Sequence, residues 1–135
     1  MKFSNVEKDG CERVIRVTDD ASGLDAFIAL HSTKLGPAIG GIRLYDYQNE
    51  QDQLTDALRL SKGMTFKNAA GGLDHGGAKT TVNANKIKNR EAAFQILGKA
   101  VNLLDGAYIC AGDIGTTTAD LYKVNDGTSY VAGIT

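Results

Sequence analysis

A chain of 135 residues is long enough for one domain with its own core and too short for two ordinary ones. Apolar residues make up 42% and charged residues 23%, as in a folded globular chain, and acids and bases are interspersed to a net charge of −1. With no basic stripe and no series of stacking aromatics, the composition argues against a nucleic-acid partner. No apolar run is long enough to span a bilayer, and MKFSNVEKDG holds no apolar stretch of signal-peptide length, so no membrane partner and a cytoplasmic location are expected. Cys11 and Cys110 lie far apart with no C-x-x-C, which predicts two free thiols and no metal site.

In chain order, Arg13–Thr18 and Leu24–His31 read as antiparallel strands joined by a turn at Asp19–Gly23, with Leu24, Ala26, Ile28 and Leu30 on one face at period two. LGPAIGG breaks regularity before a short strand, Ile42–Tyr45. Asn49 can cap a helix whose first turn holds Glu50 and Asp52, whose face runs through Leu54, Ala57, Leu58, Ser61 and Met64, and which Gly71 and Gly72 can stop. Lys79–Asn83 reads as a buried strand. Asn89–Leu104 is an amphipathic helix with a Phe94, Leu97, Val101, Leu104 core stripe and an Asp105–Gly106 stop. Tyr108–Ala111 is a short strand, after which Thr116 or Thr117 can cap a last helix. Strands alternating with helices predict an α/β domain: a mixed, mostly parallel sheet, helices on both faces and an antiparallel N-terminal edge.

The chemistry concentrates in SKGMTFKNAAGGLDHGGAKTTV, Ser61–Val82. Its two lysines, Lys67 near a helix end and Lys79 before a strand, flank glycines and alanines that let a ligand or another backbone approach closely. Asp113, just past a strand end, can project into the crevice at the carboxyl edge of the sheet. Converging on one cleft, a carboxylate beside ammoniums stays ionised and a crowded lysine tends to release its proton, which is an acid–base pair tuned by its surroundings. Taken singly, each reads first as a helix-end cation, a strand-edge lysine or a turn aspartate, and only the combination changes that. His31 and His75 read as solvated and have no spaced partner for a metal.

LGPAIGG, DALRLSKGMTFKNAAGGLDHGGAKT and AGDIGTTTADL, in this order, resemble the N-terminal domain of the amino-acid dehydrogenase family that includes the leucine, valine, phenylalanine and glutamate enzymes, its leucine-type members most of all. The likeness runs from about Val14 to Thr135. It implies that residues 1–135 form a substrate-binding and oligomerisation domain, and that a second, dinucleotide-binding domain begins beyond Thr135. It also implies that Lys79 and Asp113 are catalytic, that Lys67 binds the substrate α-carboxylate, and that Met64, Gly40 and Gly41 line the substrate pocket. The implied reaction is NAD(P)-dependent oxidative deamination of an L-amino acid to a 2-oxo acid and ammonia, in a homo-oligomer. NAD would be held mainly by the second domain, since no G-x-G-x-x-G follows a strand here, and the chain alone would be inactive.

In the glutamate-type members a lysine just before the paired glycines reaches the substrate's side-chain carboxylate. Here that position is Ile39, with Ala111 expected to line the same pocket, so an aliphatic side chain is favoured over a carboxylate. Four residues depart from the family pattern. Ala78 takes the place of the last glycine, Gly112 that of an acidic residue before the aspartate, Ala132 that of a threonine and His75 that of an apolar residue. Gly112 and Ala132 favour an alternative, a non-catalytic oligomerisation or small-molecule module with the same fold. GGAKT also has the flavour of a phosphate-binding loop, but Ala78 and Leu73 occupy the places where that motif needs glycine.

Overall fold

The computed structural model describes residues 1–134. Its strands are β1 (Lys2–Asn5), β2 (Arg13–Asp19), β3 (Leu24–Leu30), β4 (Ala38–Tyr45), β5 (Gly76–Asn83) and β6 (Tyr108–Gly112). Its helices are α1 (Glu50–Ala70), α2 (Arg90–Asn102) and α3 (Thr118–Gly127), with a 3-10 turn at Ala84–Lys86. The strands form one six-stranded mixed sheet in the order β1-β2-β3-β5-β4-β6. β4 runs parallel to both β5 and β6, while β1, β2 and β3 form the antiparallel N-terminal part, and β3 lies antiparallel to β5.

Each boundary has a local cause. The β2–β3 hairpin turns where the Asp19 carboxylate accepts the Ser22 N–H at 3.1 Å and Gly23 takes φ +77°. Asn49, Asn89 and Thr117 cap α1, α2 and α3 by accepting N–H groups of the first turn. After α2 the chain reverses through Asp105 (φ 55°) and Gly106 (φ 90°).

Alternation along β2 and β3 sends side chains to two faces. Ile15, Val17, Leu24, Ala26, Ile28 and Leu30 join the larger core with Phe94, Leu97 and Val101 of α2 and Leu121 and Val124 of α3. Val14, Phe27 and Ala29 form a smaller core with Leu54 and Ala57 of α1. The two sulfurs follow this burial. Cys110 in β6 lies against the Tyr130 carbonyl at 3.3 Å and its thiol is pushed up to about 12 by desolvation, while Cys11 is half-buried beside Ser61. Both are free thiols, as expected.

α1 has few large side chains on its buried face and is held by close approach and polar clamps. A Cβ on Gly77 would lie 2.0 Å from the Thr65 nitrogen and 2.5 Å from the Ser61 carbonyl oxygen, so only glycine lets α1 lie this low on β5. Near the start of α1, Gln53 Nε2 donates to the carbonyls of Asp25 (3.0 Å) and Thr81 (3.2 Å). Towards its end, the Thr65 hydroxyl accepts the Gly77 N–H (2.9 Å) and Asn68 Nδ2 donates to the Gly76 carbonyl (2.9 Å). These bonds fix α1 along β5 and therefore fix where its last turn stands.

The elements lie where the sequence places them, with two extensions. β4 begins at Ala38 and β5 at Gly76, so both strands run through glycines that the sequence reading leaves as loop. A short edge strand, β1, pairs with β2 ahead of the expected N-terminal pair.

Asp120, with a side chain 7% exposed, completes a capping box with Thr117 and receives Arg90 Nε at 2.9 Å and Nη2 at 2.7 Å. Burial works to raise its carboxyl, but the Arg90 bonds and the Thr117 N–H outweigh it and the net shift is downward. A depressed folded-state value gives stability above the ordinary value of 3.8, lost as pH falls through the depressed one. Asp120→Ala should therefore cost about 2 kcal/mol at neutral pH in urea unfolding. The gap from the parent should close as the pH is lowered below that range.

Candidate active site

The site is assembled on the face of the sheet that α1 covers. Parallel register sets Ile39 level with Gly77 of β5 and Ile109 of β6, and Gly41 level with Ala111. Ile39, Gly41, Arg43, Gly77, Lys79 and Ala111 thus share the parity of the α1 face, whereas Ala38, Ile42, Tyr108 and Cys110 point into the larger core.

Lys79, 6% exposed, extends from β5 across β4 and donates from Nζ to Asp113 Oδ2 at 2.7 Å. Gly41 on β4 leaves room for the acceptor: a Cβ on it would stand 2.7 Å from Asp113 Cβ. Gly40 serves the strand pairing, since a Cβ on it would fall 1.6 Å from the Ala78 carbonyl oxygen. From the opposite face the buried Tyr108 hydroxyl donates to the Gly40 carbonyl (3.1 Å) and lies 2.8 Å from the Thr80 hydroxyl.

Asp113 is the first residue past β6. Its N–H donates to the Thr116 hydroxyl at 2.9 Å, an oxygen also 3.1 Å from the Ile42 carbonyl, which anchors the turn to β4. Gly115 closes the turn at φ +84°, where a Cβ would meet the Leu44 carbonyl oxygen at 2.0 Å. Partial burial acts to raise the Asp113 carboxyl. The hydrogen bond from Lys79, the Ile114 N–H and the charges of Lys79 and Arg43 outweigh that and hold it below the ordinary carboxylate value. Asp113 is therefore an anion at neutral pH, paired with an ammonium in a half-buried setting.

The other expected residues surround this pair at different depths. Met64, half-buried, passes its backbone over Gly77, and Ile39 and Ala111 are half-buried on β4 and β6. Lys67 is exposed on the last turn of α1, and its side chain makes no hydrogen bond or ion pair with the described residues. The fold thus joins Lys79 to Asp113 and leaves Lys67 separate on the helix end. His31 bonds Thr65 Oγ1 through Nδ1 at 2.8 Å, and His75 Nδ1 lies 3.0 Å from the Pro37 carbonyl, so both have local partners. No group of side chains able to hold a metal occurs among the described residues.

Comparison with known proteins adds the lineage. The family described as Glu/Leu/Phe/Val dehydrogenase, dimerisation domain, matches residues 11–130. The chain belongs to this family. Leucine dehydrogenase of Bacillus subtilis (strain 168) is 46% identical over 133 residues, which are 98% of this chain and 36% of that enzyme. Valine dehydrogenase of Streptomyces coelicolor is 47% identical over 117 residues, 85% of this chain and 32% of that enzyme. The crystal structure of L-tryptophan dehydrogenase from Nostoc punctiforme superposes with a TM-score of 0.86 at 37% identity, covering 90% of this chain and 37% of that one. The chain therefore spans about a third of the length of these dehydrogenases.

As a member of the Glu/Leu/Phe/Val dehydrogenase family, the chain shows how Asp113 is supported with glycine at position 112. Lys79, Arg43 and Thr116 hold it, and none of them depends on residue 112. Arg43 is the site residue that the sequence reading misses; its signal is Gly41-x-Arg43, which at period two sends both residues to the same face. The glycine run does not suit a nicotinamide dinucleotide. It leads from helix α1 into strand β5, the reverse of the strand-to-helix order that offers a helix N-terminus to a pyrophosphate.

Lys79→Met removes the principal bond to Asp113 while conserving length. The Asp113 carboxyl should then titrate about 1–3 units higher. Carboxyl carbon NMR across the acid range checks this, with Asp120 as an unmoved control.

Proposed function

We propose that this chain is the substrate-binding and oligomerisation domain of an NAD-dependent L-amino-acid dehydrogenase of the leucine or branched-chain type. The observation that carries the reading is the Lys79–Asp113 pair reaching across Gly41. Its family membership and its likeness to leucine and valine dehydrogenases support it. The relatives' other two-thirds would supply the dinucleotide-binding part, and the nicotinamide held there would accept the hydride that leaves the substrate Cα.

The residues of this chain then have separable tasks. Lys67, a cation without an internal partner, binds the α-carboxylate and orients the Cα–H bond. Lys79 in its neutral form assists water in attacking the iminium carbon that results, then stabilises the oxygen of the adduct as an ammonium. Asp113 passes protons to and from the departing amine, and its bond to Lys79 gives the two groups a direct path for exchange. Met64, Gly40 and Gly41 border the substrate. Ile39 and Ala111 form an apolar wall that offers a side-chain carboxylate no partner, so leucine, isoleucine and valine are preferred over glutamate. The family's description as a dimerisation domain supports assembly as a homo-oligomer. No helix among the described residues is long and apolar enough to cross a membrane, and a cytoplasmic enzyme suits two free thiols.

The test is an NMR titration of this chain with L-leucine, its 2-oxo acid and L-glutamate. Leucine and its 2-oxo acid should shift resonances of Gly76–Lys79 and Asp113, and Lys67→Ala should weaken binding about tenfold or more. Preference for glutamate would overturn the assignment of Ile39. With a dinucleotide-binding domain joined downstream, Lys79→Ala should lower kcat by about 10²–10⁴-fold in an NAD-reduction assay.

A further inference from the structure

Asp113 Oδ2 accepts from two cations, Lys79 Nζ at 2.7 Å and Arg43 Nε at 3.2 Å. Arg43 stands on β4 two residues past Gly41. Since Ile42 pairs with Gly112, Arg43 comes level with Asp113 one step beyond the last rung of the ladder. The guanidinium uses Nε towards Asp113 and turns its far end towards α1, where Nη1 lies 3.8 Å from Asp56 Oδ2. Asp56 is fixed in turn: the Tyr47 hydroxyl donates to Oδ2 at 2.7 Å and Arg59 Nη2 to Oδ1 at 3.0 Å. Tyr47 is 4% exposed and its N–H donates to Asn83 Oδ1 at 3.2 Å, so the far end of the chain of bonds is rooted at the end of β5. Burial and Asp56 push the Tyr47 phenol upward, which keeps its proton in place as a donor.

We propose that Arg43 is a positioning residue of this site: anchored through Asp56 and Tyr47, it orients the Asp113 carboxylate towards Lys79. The proposal rests on the assignment of Lys79 and Asp113 as the catalytic pair. Asp113 sits in a turn, outside the sheet ladder, and a single bond from an ammonium on a four-carbon stem sets a distance without setting an orientation. A planar guanidinium with directed donors sets both. Lysine in place of Arg43 would keep the charge and lose the span, because its donors all sit on one nitrogen, whereas Arg43 meets Asp113 through Nε and pairs with Asp56 through Nη1. The charged groups around Asp113 are Lys79 from β5, Arg43 from β4 and, behind Arg43, Asp56 from α1. Removing Arg43 withdraws a cation from Asp113 and leaves Asp56 less neutralised, and both effects raise the Asp113 carboxyl.

Two variants test it. In Arg43→Met, carboxyl carbon NMR of this chain should show Asp113 titrating about one unit higher, with Asp120, held by Arg90, unmoved. In Arg43→Lys, which conserves charge and hence folding, kcat of the protein joined to its dinucleotide-binding domain should fall about tenfold with KM within about twofold of the parent. The Asp113 titration of that variant should stay within about half a unit of the parent. Folded Arg43→Met with an unmoved Asp113, or Arg43→Lys turning over like the parent, would overturn the proposal; should Arg43→Met fail to fold, Arg43→Lys decides. Loss of activity in Lys79→Ala with an unaffected Arg43→Lys would sink the positioning role alone. Full activity in Lys79→Ala would sink the catalytic assignment beneath it.

Discussion

The structure depends on a band where backbone meets backbone with no side chain between. Gly77 lets α1 rest on β5, Gly40 lets β4 close against Ala78, and Gly41 leaves room beside β4 for the Asp113 side chain that Lys79 reaches. Glycine is costly in a strand because it loses the most freedom on folding. Here the cost is offset by a helix and three strands brought closer than side chains would permit. Each layer needs its neighbour at that spacing: if α1 were lifted, the Thr65 and Asn68 bonds to β5 would break and the last turn of α1 would move with them.

On that scaffold the electrostatics follow. An ammonium with 7% side-chain exposure is held in the sheet by one carboxylate, which in turn is shared with a guanidinium. Desolvating charges costs several kcal/mol per ion unless partners are well placed, so such a cluster is weak as a device for stability. Its value lies in geometry. Donor and acceptor are presented side by side, Lys79 on a strand and Asp113 in a turn pinned to β4 through Thr116, a fixed geometry of the kind proton transfer requires.

Much of this was legible in the residues. The caps at Asn49, Asn89 and Thr117, the Asp105–Gly106 stop and the Phe94, Leu97, Val101 stripe follow local rules, and they lie where those rules put them. Glycine-rich strand starts were not legible, because local propensity treats Gly40, Gly41, Gly76 and Gly77 as breakers and only tertiary approach explains them as strand. β1 is too short and polar for its pattern to show. The pairing of Lys79 with Asp113 could be anticipated from one lysine before a strand and one aspartate after another. For Arg43 only the shared face with Gly41 was legible; its partners Asp56 and Asp113 come from an adjacent helix and a later turn, and no spacing in the sequence joins them to it.

Cys110 lies in the strand that delivers Asp113, beneath the segment at Tyr130 that returns to cover it. With its thiol pushed up to about 12, almost none of it is thiolate at neutral pH, and solvent has no route to the sulfur while β6 is covered. Any reaction at this sulfur therefore requires that the strand first be uncovered.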